Sequence, residues 1–265
     1  MFEQSLNNEL TLGESMGLYI EARIRADLDD LWTRTQEPSQ HQRWDLRFTR
    51  ITYLPRAAGE PQRFRYATRV LPGLTVAGTG VSAGERERPD GTRTSALRFS
   101  SPHPLSLLAE GSGYWRYLPD GDGVIFLTGY DYRPRWGRVG AVADRLLFRP
   151  LIGWATAWSF DRLRLWLERG ITPERALRNW LAEVLVRALV VIVGATGLGL
   201  ERFLHLFGPL AASMAYVSPL LLAVVISLAL FTSPLPGTPA ARRCLRRPAT
   251  RVRAPRVLRT LETPR

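Results

Sequence analysis

Lysine is absent from this chain; all 36 basic residues are arginines. A codon bias toward GC-rich DNA explains that as well as selection does, so no function is read from it. Cys244 is the only cysteine, which excludes an intramolecular disulfide and fits a reducing compartment. The three histidines, His41, His103 and His205, are scattered, with no Cys, Asp or Glu at ligand spacing, so no metal site is expected. No G-x-S-x-G elbow or comparable nucleophile context is present, so no catalytic residue and no cofactor are expected. The opening Met1-Phe2-Glu3-Gln4 has neither a basic n-region nor an apolar h-region, and no secretory signal is expected. Residues 203–241 contain no Asp, Glu or Arg, whereas residues 1–180 are densely charged.

What is present is unevenly placed. The formal net charge is +12, and residues 236–265, with nine arginines and one glutamate, account for +8 of it. This reads as a disordered arginine-rich tail (234–265), broken by Pro248 and Pro255 and lacking aromatics. Without a stacking platform, nucleic acid is not the expected partner. Anionic lipid headgroups are, at about 1 kcal/mol per basic residue near the surface.

Leu210 to Phe231 reads LAASMAYVSPLLLAVVISLALF, uncharged and broken only by Pro219. A bilayer core needs about 20 apolar residues as a helix, and a proline is tolerable there. The preceding stretch, Trp180 to Leu200, carries Glu183 and Arg187 near one end, where arginine can reach the headgroups. The short connection Glu201–Pro209 suits a helical hairpin, so two spans are expected at about 180–200 and 210–231 within a hairpin region 178–233. Arginines 162, 164, 169, 175 and 178 precede the first span and arginines 242, 243, 246 and 247 follow the second, against Arg202 alone between them. Arginine-rich flanks stay cytoplasmic. The N-terminal domain and the tail are therefore both expected inside, at a bacterial cytoplasmic membrane.

Val190 to Gly199, VVIVGATGLG, mimics a strand entering a dinucleotide-binding turn. The final glycine position is Leu200, no acidic residue stands where a ribose ligand belongs (Tyr216, Val217, Ser218), and no further βα units follow. Nicotinamide-dinucleotide binding is excluded on those grounds.

After an N-terminal extension (1–15), Leu18, Ile20, Ala22 and Ile24 alternate with polar residues as a half-buried strand. Asp27 is placed to cap a helix Leu28–Thr35, and a short helical turn reaches Trp44. Strand-like runs follow at about Phe48–Tyr53, Arg63–Val70, Leu74–Ala83, Thr92–Ser100, Gly111–Tyr117 and Val124–Tyr132, separated by turn signals. Glu85-Arg86-Glu87-Arg88 reads as a solvated hairpin end. From Gly137 to Glu168 the period is helical, bent or interrupted near Pro150. The expected architecture is α+β: a curved antiparallel sheet gripping a long C-terminal helix, followed by two transmembrane helices.

The segment YIEARIRADLDDLWTRTQEPSQHQRWD, with Trp32 and then Pro38, His41 and Trp44, resembles the opening of the START-like helix-grip superfamily. GYWRYLPDGDGVIFLTGYDYRPRWG and DRLLFRPLIGWATAWSFDRLRLWLE resemble its last hairpin and final helix. The resemblance covers about residues 16–170, and the ligand-binding domain it implies is expected at 16–172. It implies a cavity between sheet and helix that takes a lipid or another hydrophobic small molecule, non-catalytically, or a cyclase/aromatase-like activity on a polyketide-type substrate. A third reading is a membrane-associated protein-interaction module.

By alternation Phe64 and Tyr66 share a face, as do Phe126 and Tyr130, while Trp154 and Trp158 are one helical turn apart. With an apolar body and a polar handle, such residues suit a cavity wall. The candidate ligand-binding residues are Trp44, Phe64, Tyr66, Tyr130, Trp154 and Trp158. His41 reads as a surface or turn histidine.

Overall fold

The structure, a computed structural model, describes residues 18–205 and 219–248 and single positions 255, 258, 261 and 264, with backbone alone at 83–86, 200–202, 204 and 205. The N-terminal extension, residues 210–218 of the second expected span and most of 249–265 lie outside the described residues. The chain divides into two compact units, Met1–Gly170 with Ala240–Arg265, and Ile171–Pro239.

In the first unit, strand β1 (Leu18–Ile24) leads into α1 (Leu28–Gln36) and α2 (Pro38–Trp44). The Asp27 carboxylate accepts from Asp29 N at 2.7 Å and Asp30 N at 3.4 Å, satisfying two amides that the first turn leaves free. Six strands follow: β2 (Arg50–Tyr53), β3 (Gln62–Leu71), β4 (Leu74–Glu87), β5 (Arg93–Ser100), β6 (Leu108–Asp120) and β7 (Gly123–Pro134). All pairings are antiparallel, in the order β1-β7-β6-β5-β4-β3-β2. Hairpins therefore connect the six strands in turn, and β1 closes onto β7. Gly73, Gly91 and Gly121 take the left-handed backbone that three of the turns require.

The C-terminal helix is not continuous. It runs as α3 (Gly137–Ala143), a π-helical turn (Asp144–Phe148) and α4 (Arg149–Arg169). Sequence placed the interruption near Pro150, and the irregular turn falls just before it. Proline has no amide to donate, and its ring collides with the carbonyl four residues back, so the preceding turn widens. Buried Asp144 anchors that turn by accepting from Tyr132 Oη and from Arg149 Nε at 3.2 Å.

Helix α4 lies over β1, and the Phe160 ring stacks on Phe126 at 4.4 Å. Ile20, Ile24, Phe126, Phe160 and Leu163 are buried in this contact, each contributing about 1.5–3 kcal/mol. The architecture is α+β, a seven-stranded curved antiparallel sheet gripping a long helix, as expected.

The tail corrects one expectation. Residues 240–248 are ordered against α4 and β1 rather than disordered. Asp161, with a fully buried carboxylate, accepts from Ala240 N at 2.7 Å, Arg243 Nη1 at 2.9 Å and Arg164 Nε at 2.7 Å. Leu245 and Glu21 exchange two backbone bonds of 2.9 Å, extending the sheet beyond β1. Further on, Leu261 is buried on the convex face among Tyr19, Val81, Ala96, Tyr114 and Leu127. Arg98 Nη2 donates to Leu258 O at 2.9 Å and Ser100 Oγ to Pro264 O at 2.8 Å. Composition pointed to disorder because the segment is arginine-rich. A buried carboxylate and an apolar sheet face supply the partners that composition does not reveal.

The second unit contains α5 (Pro173–His205) and α6 (Pro219–Phe231). Residues Pro173–Gly199 are long and apolar enough to cross a membrane, with a mean hydropathy of 2.0 in their most apolar window; α6, over its described residues, is shorter. Glu183 and Arg187 do not face outward as isolated charges. Arg187 pairs with Glu183 at 2.6 Å and donates to Ala229 O, Thr232 O and Ser233 O, at and beyond the C-terminal end of α6, at 2.8–3.1 Å. Two of the three glycines of the dinucleotide-like string serve packing instead. A Cβ at Gly194 would meet Ile226 at 2.7 Å, and one at Gly197 would meet Leu222 at 3.1 Å, so both let α5 and α6 approach closely.

Candidate functional site

Toward β2–β5 the sheet curves away from α4 and leaves a cavity of about 350 Å³. Alternation decides which side chains face it. Ile51, Tyr53, Phe64, Tyr66, Ser82, Ser95, Leu97, Phe99, Trp115, Thr128 and Tyr130 all stand on the concave side and all line it. Tyr53, Phe64, Tyr66, Phe99 and Tyr130 form a continuous run of rings with centroids 5.9–6.5 Å apart.

Glycines set the depth of this floor. A Cβ on Gly80 would come within 2.2 Å of Phe64 Cζ, and one on Gly111 within 2.4 Å of Phe99 Cζ, so neither position has room for a side chain. Both rings can therefore lie down across neighbouring strands instead of projecting into the space above.

One stretch of wall is polar. His41, on α2, lines the cavity; its Nε2 is 3.0 Å from Asp45 Oδ2. The same carboxylate accepts from Arg47 N at 3.0 Å, Nε at 2.9 Å and Nη2 at 2.7 Å. The Asp45 side chain is 0% exposed and that of Arg47 is 11% exposed, so this is a buried ion pair within an apolar wall. The Arg47 charge, opposed by desolvation, holds the Asp45 carboxyl far below the usual carboxylate range. Burial pushes the His41 imidazole below its ordinary value, and the bond to Asp45 only partly offsets that. With ionised Asp45 accepting at Nε2, neutral His41 keeps its proton on that nitrogen. At the other end, Tyr117 Oη bonds Thr35 Oγ1 at 2.7 Å and Gln36 Nε2 at 2.9 Å.

Of the six residues singled out from sequence, Phe64, Tyr66 and Tyr130 stand on the cavity wall. Trp44 does not. It is fully buried behind the wall, donates Nε1 to Arg34 O at 2.8 Å, and backs His41 with ring centroids 5.0 Å apart. Trp154 and Trp158 stack on each other at 6.2 Å away from the cavity. At 100° per residue they lie about 200° from Ile152 and Thr156, and Ile152 is the α4 side chain that reaches the cavity.

His41 also departs from expectation, being 9% exposed rather than superficial. Three residues from Trp44 it shares that residue's inward face, and Asp45 satisfies its N–H. Sequence reasoning missed Arg47 and Asp45 because charged residues near a turn read as solvated. It also missed Phe99, whose alternation with Leu97 was a usable signal. Among the described residues no His/Cys/Asp/Glu cluster could hold a metal ion.

The strand order, the helix laid in the curved sheet and the hydrophobic-walled cavity between them make this a helix-grip fold. No family model matches the chain. It is 52% identical over 163 residues to a Bacillus subtilis (strain 168) protein named Uncharacterized membrane protein YndG, covering 61% of each chain. The chain thus spans about three fifths of that curated relative. Among solved structures it is similar to a STAR-related lipid transfer protein from Xanthomonas axonopodis (20% identity, 56% of this chain, 84% of that one, TM-score 0.43). It is also similar to the di-domain ARO/CYC StfQ of the steffimycin biosynthetic pathway (18% identity, 60% of this chain, 52% of that one, TM-score 0.42).

Proposed function

We propose that this chain is a membrane-attached binder of a hydrophobic small molecule, held in the cavity between sheet and α4. The observation that carries the reading is the cavity itself, aromatic and aliphatic along most of its wall. Its volume of about 350 Å³ falls at the low end of the about 300–1,000 Å³ that small-molecule sites occupy. A compact apolar molecule of lipid, isoprenoid, quinone or polyketide type fits, its polar end toward Arg47 and Tyr130.

Attachment is by the region 171–239, crossing the bacterial cytoplasmic membrane twice. The length and hydropathy of Pro173–Gly199 support this. Covalent connectivity supports it further: α4 ends at Arg169 and the chain is back on α4 at Ala240, so both ends of the region belong to one domain. A segment that leaves and rejoins the same folded domain crosses a bilayer an even number of times. The arginine flanks set both ends on the cytoplasmic side, which also places the exposed Arg242, Arg246 and Arg247 near anionic headgroups.

One observation favours a second reading. His41, paired with Asp45, presents a neutral imidazole in the cavity wall, a position from which it could move a proton to or from a bound polyketide-type substrate.

The test is organic extraction and mass spectrometry of the full chain purified in detergent, against Leu97→Trp, which fills the cavity. A molecule that co-purifies stoichiometrically with the parent and is lost from the variant supports the binder. Equal lipid in both preparations, or none in either, overturns it. Recovery of a chemically altered molecule that reverts to its precursor in His41→Gln favours the enzyme.

A further inference from the structure

The helical segment after β7 turns its apolar side outward. Between residues 137 and 151 the inward positions are Gly140, Asp144 and Phe148, spaced by four. Val139, Val142, Leu146, Leu147 and Leu151 are 52–75% exposed. The charged side chains interleaved with them, Arg138, Arg145 and Arg149, are all cationic, and the single acid, Asp144, is buried beneath.

This segment is one side of a rim. Arg135 N donates to Leu107 O at 2.7 Å and the Trp136 indole to Pro104 O at 3.3 Å, tying it to the loop that carries Leu105. Phe148, Leu105 and Val70 all line the cavity, and Leu105 and Val70 are 59% and 54% exposed, so the cavity reaches the surface here. Leu71, at the β3–β4 turn beside Val70, is 61% exposed as well. Trp136 is half exposed with φ at 66°, a left-handed conformation that costs a bulky residue energy, and it holds the indole on the rim.

We propose that this rim (residues 136–151, Leu105 and Val70–Leu71) docks onto an anionic lipid bilayer, so that the cavity mouth faces the lipid surface. Apolar tips with only arginines between them match the interface of a negatively charged leaflet. An exposed tryptophan whose indole keeps a polar partner suits the headgroup level. A protein partner would leave the uniform positive charge without a reason, and the proposed membrane attachment keeps a bilayer within reach. A molecule that partitions into lipid would then pass between bilayer and cavity without crossing water.

The full chain is reconstituted in phosphatidylglycerol-containing nanodiscs, in a Cys244→Ser background. An environment-sensitive fluorophore is attached at Leu146→Cys or, as control, at Glu60→Cys at the opposite end of β3. The expected result is a blue shift at 146 and quenching by spin-labelled lipid, with neither at 60. Both effects should weaken in pure phosphatidylcholine or high salt, and both should be lost on adding Val142→Glu. Water-like emission at 146 overturns the proposal. So does a blue shift without quenching, which would mean that protein, either residues 1–17 or a second copy, covers the rim. The readout does not depend on what fills the cavity. A chain without membrane spans would fail earlier, at reconstitution.

Discussion

Replacing Asp45 by alanine leaves the Arg47 guanidinium buried with two bonds to that carboxylate unmade, of 2.9 and 2.7 Å, and the Arg47 amide without its bond of 3.0 Å. The two charges sit about 4 Å apart, worth about 4 kcal/mol at an effective dielectric of about 20. Breaking such a pair from one side costs about 3–5 kcal/mol, because the remaining ion is uncompensated. In a unit of this size each kcal/mol moves the melting temperature by about 2–4 °C, so a fall of about 10 °C is expected. The assay is tryptophan fluorescence of the full chain in micelles, since every tryptophan except Trp180 lies in the first unit. The decisive comparison is Asp45→Ala/Arg47→Met, which removes both charges and should recover most of the loss. A double variant that melts as low as Asp45→Ala alone would refute the unpaired-charge argument. Acid should act differently. The Asp45 carboxyl is depressed in the fold, so its contribution is intact above the unfolded value of about 3.9 and is lost only in strong acid, as pH falls through the folded value.

Three further outcomes are expected. His41 is held neutral by burial, so below about pH 6.5 the unfolded chain takes up the proton first; stability is full above that pH and falls as pH drops toward the lower folded value. Melts at pH 7 and 5 should show this fall in the parent and lose it in His41→Gln; a parent that gains stability on acidification contradicts the assignment. Arg243→Ala removes a charge-assisted bond to buried Asp161, worth about 1.5–3 kcal/mol, and should raise opening of segment 240–248 about ten- to hundredfold. Maleimide labelling of Cys244, whose thiol burial pushes up to about 12, reads that opening, and an unchanged rate would mean that the segment is held elsewhere. Gly80→Val pushes the Phe64 ring off its seat, costing about 1–3 kcal/mol in overpacking and shrinking the cavity; any co-purifying molecule should fall together with the melting temperature.

The strands were legible because their signal is local. Alternation in LYIEARI or TGYDY and glycine turns at fixed spacing define β1–β7 with little help from the rest of the chain. The concave aromatics Phe64, Tyr66 and Tyr130 follow from the same period of two. Trp154 and Trp158 were harder, since on α4 the inward stripe is set by which residues meet the sheet, and two tryptophans attract attention whichever way they face. The ion pair was invisible for a deeper reason. Asp45 and Arg47 stand beside a turn, and their burial depends on α2, β7 and the curvature of the sheet, none of which is encoded near residue 45. The same holds for the tail, where Arg243 is one arginine among nine until Asp161, 82 positions earlier, proves to be buried opposite it.

The order of the chain also bears on how the protein is built. Residues 18–170 hold the seven described strands and the gripping helix, yet the free edge of β1 is covered by residues 240–248 and the convex face around Tyr19 and Tyr114 by Leu258 and Leu261, made after the apolar region 171–239. Domains generally fold as they emerge, and apolar surface left open in the meantime invites aggregation. Here the arrangement limits that exposure, because the face awaiting Leu258 and Leu261 is small and is interrupted by Arg98 and Arg116, while the concave core closes without the tail. The returning segment is held by an antiparallel bridge to the backbone of β1 and by Asp161 of α4. These contacts fix both ends of the intervening region to one domain. A chain cut after residue 239 should keep its concave core and lose the cover of its back, melting at a lower temperature and binding hydrophobic dyes at the sheet; one that melts like the full chain would show that the strap adds nothing to the fold.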